Sequence, residues 1–315
     1  MVRAMGGVVG TAAAVVLALS GAAAAEEVDL APKVGEGDAF EYAYEYGVDQ
    51  QTYMQGNPAG ANTIDVRMEY ELEIDGEAEG GGFEATLTIT RVRLDSGGPM
   101  QMVYDTDDPA GEAEGEDAQP AGQAAQMREV VGIAADAILD EPIRARVGPG
   151  TPFEVLGGRA ELTPTGDQGD MASRMAASLF QNLFGDMVLA RAVRPIFGFK
   201  TDPTTAEAAD SWDLVIEEET NLGPRDARLV VTLREIAEGT ALLGYSGSYD
   251  VDEAAMADQG SDLKITESEI DGTVSWDLEN GRLKSFAETY SIEAEQAGGV
   301  QRLEASGYNR VMPVE

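Results

Sequence analysis

From Thr63 to Asp75 apolar and polar residues alternate without a break, and few folds accommodate such a pattern. Ile64, Val66, Met68, Tyr70, Leu72 and Ile74 fall on one side; Thr63, Asp65, Arg67, Glu69, Glu71, Glu73 and Asp75 fall on the other. Successive side chains of an extended chain point to opposite faces, so this segment is a long strand with one buried and one wet face. Glu77 to Gly82 is a Gly-rich turn, and Phe83 to Leu94 returns as the partner strand. Its apolar phase shifts between Ile89 and Val92, which predicts a β-bulge.

The same pattern organises the rest of the chain. Residues 26–37 read as a lead-in, and 38–164 as a first β-rich half opened by Asp38-Ala39-Phe40-Glu41-Tyr42. Residues 105–123 interrupt it with Asp, Glu, Pro, Ala and Gly, an exposed acidic loop. A short helix is predicted from Ala121 to Leu139, then a hairpin of Ile143–Val147 and Phe153–Leu156 turned by Gly148-Pro149-Gly150. Residues 165–200 carry a helix pair, with Asp170 and Asp186 as N-caps and Gly185 as a left-handed C-terminal residue. Residues 201–315 form a second β-rich half, with strands near 212–219, 226–236, 240–249, 262–278, 282–295 and 299–309. The expected fold class is α+β: mostly antiparallel β-sheet, two related meanders with helices between them and on one sheet face.

The relation between the halves rests on matching landmarks. Asp210-Ser211-Trp212-Asp213-Leu214 opens the second half as Asp38 to Tyr42 opens the first, and each opening leads to a long hairpin and then a Gly-turned one. An internal duplication accounts for this. The aromatic strand after a Gly-Asp, the Pro142 to Gly157 hairpin, and Ile196-Phe197 with Asp210-Ser211-Trp212 resemble a family of exported bacterial proteins of unknown function. That resemblance implies one evolutionary unit over 38–311, and it implies no activity and no site residues.

Composition narrows the chemistry. The chain has no Cys and no His. Without Cys the core alone must hold the fold, and no lipid-modified N-terminal cysteine is available. Without His neither a Ser-His-Asp triad nor a Cys/His zinc site can be built. Met1-Val2-Arg3, the apolar run Val8 to Leu19 and the small-residue exit Ala23-x-Ala25 are the three parts of a secretory signal, with cleavage expected after Ala25. Ala and Gly make the run poorly apolar for a retained anchor, so no membrane insertion is expected after signal removal and the chain is placed in the periplasm or outside the cell. Residues 1–25 hold one Arg and no acid, so the mature chain carries 20 − 58 = −38. Such a field repels phosphate backbones, and no nucleic-acid partner is expected. Only four of the basic residues are Lys (Lys33, Lys200, Lys264, Lys284), a bias shared with proteins bathed in high salt.

Several local patterns bear on a site. Ser261-Asp262-Leu263-Lys264 matches Ser-x-x-Lys, but Leu263 and Ile265 alternate as in a strand, where Ser261 and Lys264 would face opposite ways. Asp105, Asp107 and Asp108 begin like a Ca²⁺ loop, yet Pro109 and Ala110 stand where an oxygen ligand and a Gly are needed, so only diffuse cation association is expected. Phe180, Leu183, Phe184, Met187, Ile196 and Phe197 belong to an apolar stretch, 179–199, richer than one helix face requires. It reads either as a plug of the core or as the lid or floor of an apolar-ligand site, and these six are the candidate ligand residues. No cofactor is expected. The function expected is a non-catalytic envelope or periplasmic module binding an apolar ligand or protein partner between sheet and helices. The alternative is a His-free, glycosidase-like hydrolase using a carboxylate pair.

The Asn280-Gly281 hairpin has two competing registers. A two-residue turn pairs Glu279 with Arg282 and Leu278 with Leu283. A three-residue loop with left-handed Gly281 pairs Val274 with Phe286 and Ile270 with Tyr290. The larger apolar partners favour the second.

Overall fold

The computed structural model describes residues 27–79, 81–98, 102–109, 121–148, 153–158, 171–200, 203–220, 223–251, 263–296 and 300–314. The first half contributes β2 (Ala39–Met54), β3 (Asn57–Glu77), β4 (Phe83–Gly97), β5 (Met102–Asp105), β6 (Ile143–Val147) and β7 (Glu154–Gly157). The second contributes β9 (Ser211–Thr220), β10 (Gly223–Ala237), β11 (Thr240–Val251), β12 (Leu263–Asp277), β13 (Arg282–Gln296) and β14 (Gln301–Pro313). A small ribbon pairs β1 (Val28–Asp29) with β8 (Thr205–Ala206). The helices are α1 (Ala121–Asp136), α2 (Met171–Phe184) and α3 (Asp186–Val193), the last running into a 3-10 turn, Arg194–Phe197.

All the long strands join one antiparallel sheet of 12 strands in the order β7-β6-β4-β3-β2-β14-β13-β12-β11-β10-β9, with β5 beside β4. Each half therefore steps across the sheet in the same sense, and the halves meet where β2 pairs β14 along Gln301↔Met54 to Pro313↔Tyr42. Tight two-residue turns join β2 to β3 and β10 to β11. Gln55-Gly56 and Glu238-Gly239 have positive φ at both positions, the geometry whose twist matches paired strands.

One face of the sheet is apolar and carries the helices. Val66, Met68, Tyr70, Leu72 and Ile74 of β3 are buried while Glu71, Glu73 and Asp75 are exposed, as the alternation dictates. The bulge expected in β4 is found: Glu69 faces Arg91 and Tyr70 faces Ile89, leaving Thr90 as the extra residue, its hydroxyl donating to the Glu69 carbonyl at 3.2 Å. Over this face lie Val130, Val131, Ala134 and Ile138 from the α1 segment, Phe180, Leu183 and Phe184 from α2, and Leu189, Ala192 and Val193 from α3. Phe180 meets Phe184 edge-on, and Phe197 stacks on Phe83 at 5.7 Å. Tyr70 spans the two layers, its hydroxyl donating to the Ala192 carbonyl at 2.6 Å. Among the described residues no helix is long and apolar enough to cross a membrane.

Two local expectations are corrected. Gly185 is not left-handed; at φ −64°, ψ 165° it is the extended N-cap of α3, and Asp186 is the first helical residue. A side chain there would run into the Gln181 carbonyl, so the tight joint between α2 and α3 requires glycine. Asp186 still suits its place, since a carboxylate in the first turn opposes the helix dipole. The expected cap Asp170 lies outside the described residues. In the β12–β13 hairpin, Val274 pairs with Phe286 and Ile270 with Tyr290, the register favoured by the apolar partners. The loop, however, has four residues rather than three: the ladder closes at Asp277↔Arg282, and a bulge at Lys284 restores the register. The Asp277 carboxylate accepts from the backbone N–H of Glu279 at 2.9 Å and of Asn280 at 3.1 Å, and from Asn280 Nδ2 at 2.9 Å. That side-chain turn outweighs the Asn-Gly preference for a two-residue loop. Gly281 does take the left-handed conformation, φ 58°.

Candidate functional site

Register brings one row of side chains together across the apolar face. Tyr245 on β11 lies opposite Gly272 on β12, Gly272 opposite Glu288 on β13, Glu288 opposite Asn309 on β14, and Asn309 opposite Tyr46 on β2. Gly272 is what lets the row connect. A Cβ there would collide with the Tyr245 ring, so the bare backbone allows that ring to lie across β12. Its hydroxyl then donates to Glu288 Oε2 at 3.0 Å, while Asn309 Nδ2 donates to Glu288 Oε1 at 2.7 Å. Tyr44 donates in turn to Asn309 Oδ1 at 2.7 Å. Asn309 is the only buried polar or charged residue of the core among the described residues, and both its Oδ1 and its Nδ2 are engaged here. Burial pushes the phenols of Tyr44 and Tyr245 well above their ordinary range, so both are neutral donors. Burial raises Tyr46 as well, and its hydroxyl has no hydrogen-bond partner among the described residues.

Above this row opens a cleft between the sheet and the α3–3-10 segment. Its cavity volume is about 40 Å³. Its helix side is Arg191, Arg194, Pro195 and Phe199; its sheet side includes Ile216, Leu229, Tyr249 and Phe286, with Glu288 and Asn309 on the floor. Phe199, Tyr245 and Phe286 form a near-parallel trio, with centroids 5.8–6.2 Å apart and planes within 21°. Trp212 Nε1 donates to the Phe199 carbonyl at 2.8 Å, which ties the chain after the 3-10 turn to the edge strand β9. Arg191 donates to the Tyr249 hydroxyl at 3.5 Å, and the Arg225 guanidinium lies 3.9 Å from the Tyr249 ring centre.

The six candidate ligand residues lie beside this cleft and do not line it. Phe180, Leu183, Phe184, Ile196 and Phe197 are buried in the packed core, and Met187 is partly exposed on α3. Of the apolar residues in the stretch 179–199, Pro195 and Phe199 reach the cleft wall. Asp105 and Asp107 are engaged by one guanidinium: Arg91 donates to both Asp105 oxygens at 3.2 and 2.8 Å and pairs with Asp107 at 3.1 Å. The Arg91 hydrogen bonds hold the Asp105 carboxyl below the usual range. Asp108 lies in the turn that follows, its N–H donating to the Asp105 carbonyl at 3.1 Å. Among the described residues no group of three or more His, Cys, Asp or Glu is placed to hold a metal. Lys264 stands exposed on β12, and Ser261 lies outside the described residues. Among the described residues Glu288 is the single acid lining the cleft, so they do not supply there the carboxylate pair a hydrolase would need.

Sequence reasoning missed Tyr245, Glu288 and Asn309, whose meeting depends on three strand registers. A signal was present: Gly272 interrupts an otherwise alternating strand, which marks a close approach of something to the backbone.

No family model matches the chain, and no curated protein does. Solved structures give distant similarities. A lipovitellin structure concerned with lipid–protein interactions shares 12% identity over 89% of this chain and 25% of its own, with a TM-score of 0.45. DynF, of the dynemicin biosynthesis pathway of Micromonospora chersina, shares 9% identity over 93% of this chain and 88% of its own, with a TM-score of 0.20. An outer-membrane channel from Pseudomonas putida F1 shares 10% over 89% and 97%, with a TM-score of 0.18. This chain thus spans a quarter of the lipovitellin structure's length. At such scores and identities none of the three bears on what this chain binds or does.

Proposed function

We propose that the chain is an exported, non-catalytic module of the cell envelope, released by cleavage after Ala25, that holds an apolar ligand between its sheet and its helix layer. The observation that carries this reading is the cleft under the α3–3-10 segment, walled by Pro195, Phe199, Ile216, Leu229 and Phe286. Concave sites with mostly apolar walls and a few convergent polar groups are where proteins hold small molecules. The absence of His and Cys, and a floor carboxylate already accepting two hydrogen bonds, favour binding over chemistry. Native mass spectrometry of protein purified from its own envelope tests the reading. The expected result is a discrete added mass, lost in Ala227→Phe, which fills the cleft from β10. Bare protein that also fails to take up any added amphiphile overturns it.

A further inference from the structure

The two ends of the sheet are not alike. At one end β5 and β7 have four residues each, and edges so short offer little to pair with. At the other end β9 has 10 residues, and among the described residues nothing pairs with its outer side. The usual protections of such an edge are missing. β9 contains no Pro and no Lys, and its ladder with β10 runs from Ser211↔Thr232 to Thr220↔Gly223 without a bulge. Trp212, Leu214 and Ile216 turn toward the core yet are only half-buried. Val215, on the opposite face, is 53% exposed and lies diagonal to the exposed Val230. A straight, apolar edge of this length is a template for one more strand.

Charge selects what that strand can be. Asp213 and Glu217 flank Val215 on the open face, and both are exposed. Glu217 faces Asp226 and Asp226 faces Asp250, so three acids stand in line across β9, β10 and β11. The guanidinium beside them, Arg228, lies 2.8 Å from Asp250 and 3.9 Å from Asp226, which leaves the Glu217 end of the line uncompensated among the described residues. A second copy is a poor occupant. Pairing β9 with itself about Val215 sets each Asp213 against a Glu217, and any register brings together two chains of charge −37. We infer that β9 takes up an extended segment of another protein as an added outer strand. Basic side chains of that segment stand opposite Asp213 and Glu217, with three apolar ones between them. The main chain supplies the adhesion, and two charges four residues apart fix the register. The apolar side chains opposite Leu214 and Ile216 extend the core, and the middle one covers Val215.

Three peptides test this on the purified protein, each flanked by Gly-Ser: Lys-Ile-Val-Ile-Lys, Ile-Lys-Val-Lys-Ile and Glu-Ile-Val-Ile-Glu. The first two share composition and charge, so general attraction to an acidic protein does not tell them apart. Fluorescence polarisation of the labelled peptides reads affinity. The expected result is saturable binding of the first, about ten-fold tighter than the second, and none of the third. Asp213→Lys with Glu217→Lys should transfer binding to the Glu peptide, a gain that also shows the variant is folded. N-methylation of alternate residues in the first peptide should abolish binding in one phase and spare it in the other, because only one phase points its N–H groups at β9. Equal affinity of the two Lys peptides, or indifference to N-methylation, reduces the contact to general electrostatics and overturns the added strand. No binding of any peptide overturns it too. A dimer of the protein alone, seen by sedimentation and broken by Val215→Asp, gives the edge to a second copy and overturns it as well.

Discussion

The same three-strand device occurs on both faces of the sheet. Under the helices, Tyr245 lies over Gly272 and donates to Glu288. On the open face, Tyr308 lies over Gly47 and donates to Asp65 at 2.8 Å. Each tyrosine crosses one glycine-bearing strand to reach an acid on the next. Their surroundings differ. Tyr245 is boxed between Phe199 and Phe286 at 2% exposure, whereas Tyr308 touches the Arg310 guanidinium and solvent. One local geometry thus becomes a rigid floor on one side and a replaceable surface contact on the other. What separates the two is the packing above the ring, not the hydrogen bond.

Alkaline pH should expose the contrast most strongly. Burial raises Tyr42 to about 12 and pushes Tyr44, Tyr46, Tyr70 and Tyr245 up as well. In the unfolded chain these phenols lose their protons near pH 10, while the folded chain keeps them. The folded state then binds more protons, so stability present below pH 10 is lost as pH rises toward the folded values. Each buried tyrosine removes roughly 1 kcal/mol over the first pH unit above 10. Urea midpoints at pH 9, 10 and 11 should fall steeply, with the buried phenols' share of the phenolate absorbance appearing only on unfolding. Ionisation of these buried phenols near pH 10 in folded protein would show that this face is wet.

The glycines should separate next. Gly272→Ala forces a boxed ring to move and is expected to cost about 1–3 kcal/mol, the usual range for overpacking. Gly47→Ala displaces the Tyr308 ring toward solvent and should cost less than about 1 kcal/mol. Equal losses in denaturant melts would mean that backbone approach, not ring packing, fixes both sites.

Removing one hydroxyl at a time is the finer probe. Tyr245→Phe leaves Glu288 without one of its donors in a half-buried place, at a cost of about 1–2 kcal/mol. Tyr308→Phe should stay within about 0.5 kcal/mol. The smallest effect expected is that of salt. Screening of a −37 chain should raise the melting midpoint modestly between 0.05 and 1 M NaCl, where the screening length shortens to about 3 Å. A flat response would show that pairs such as Arg67 with Glu45 and Glu69 already neutralise the open face.

What could be read in the sequence was what period and phase encode. The β3 alternation and the β4 bulge both follow from side-chain order along one strand, and burial enforces them. What was hidden depends on neighbours distant in sequence. The four-residue loop at Asp277 was chosen by a carboxylate turning back on its own backbone, a local competitor that cross-strand pairing alone could not rank. Gly185 could serve either end of a helix, and only the Gln181 carbonyl above it decides. The polar row of the site joins residues 245, 272, 288 and 309, so no window along the chain contains it.

The sheet order also sets a timetable. β2 is among the first long strands to leave the ribosome or a translocon, yet its second partner is β14, with Tyr44 facing Val311 across most of the chain. Contacts of such separation form late, because the intervening chain must be ordered first. Until Gln301–Pro313 arrives, β2 and β13 each present an unpaired edge in the middle of what will become one sheet. An open edge recruits other strands. Any chain stalled or clipped before residue 301 should therefore aggregate through its centre rather than its rim, and the last strand acts as the closing stitch of the whole molecule.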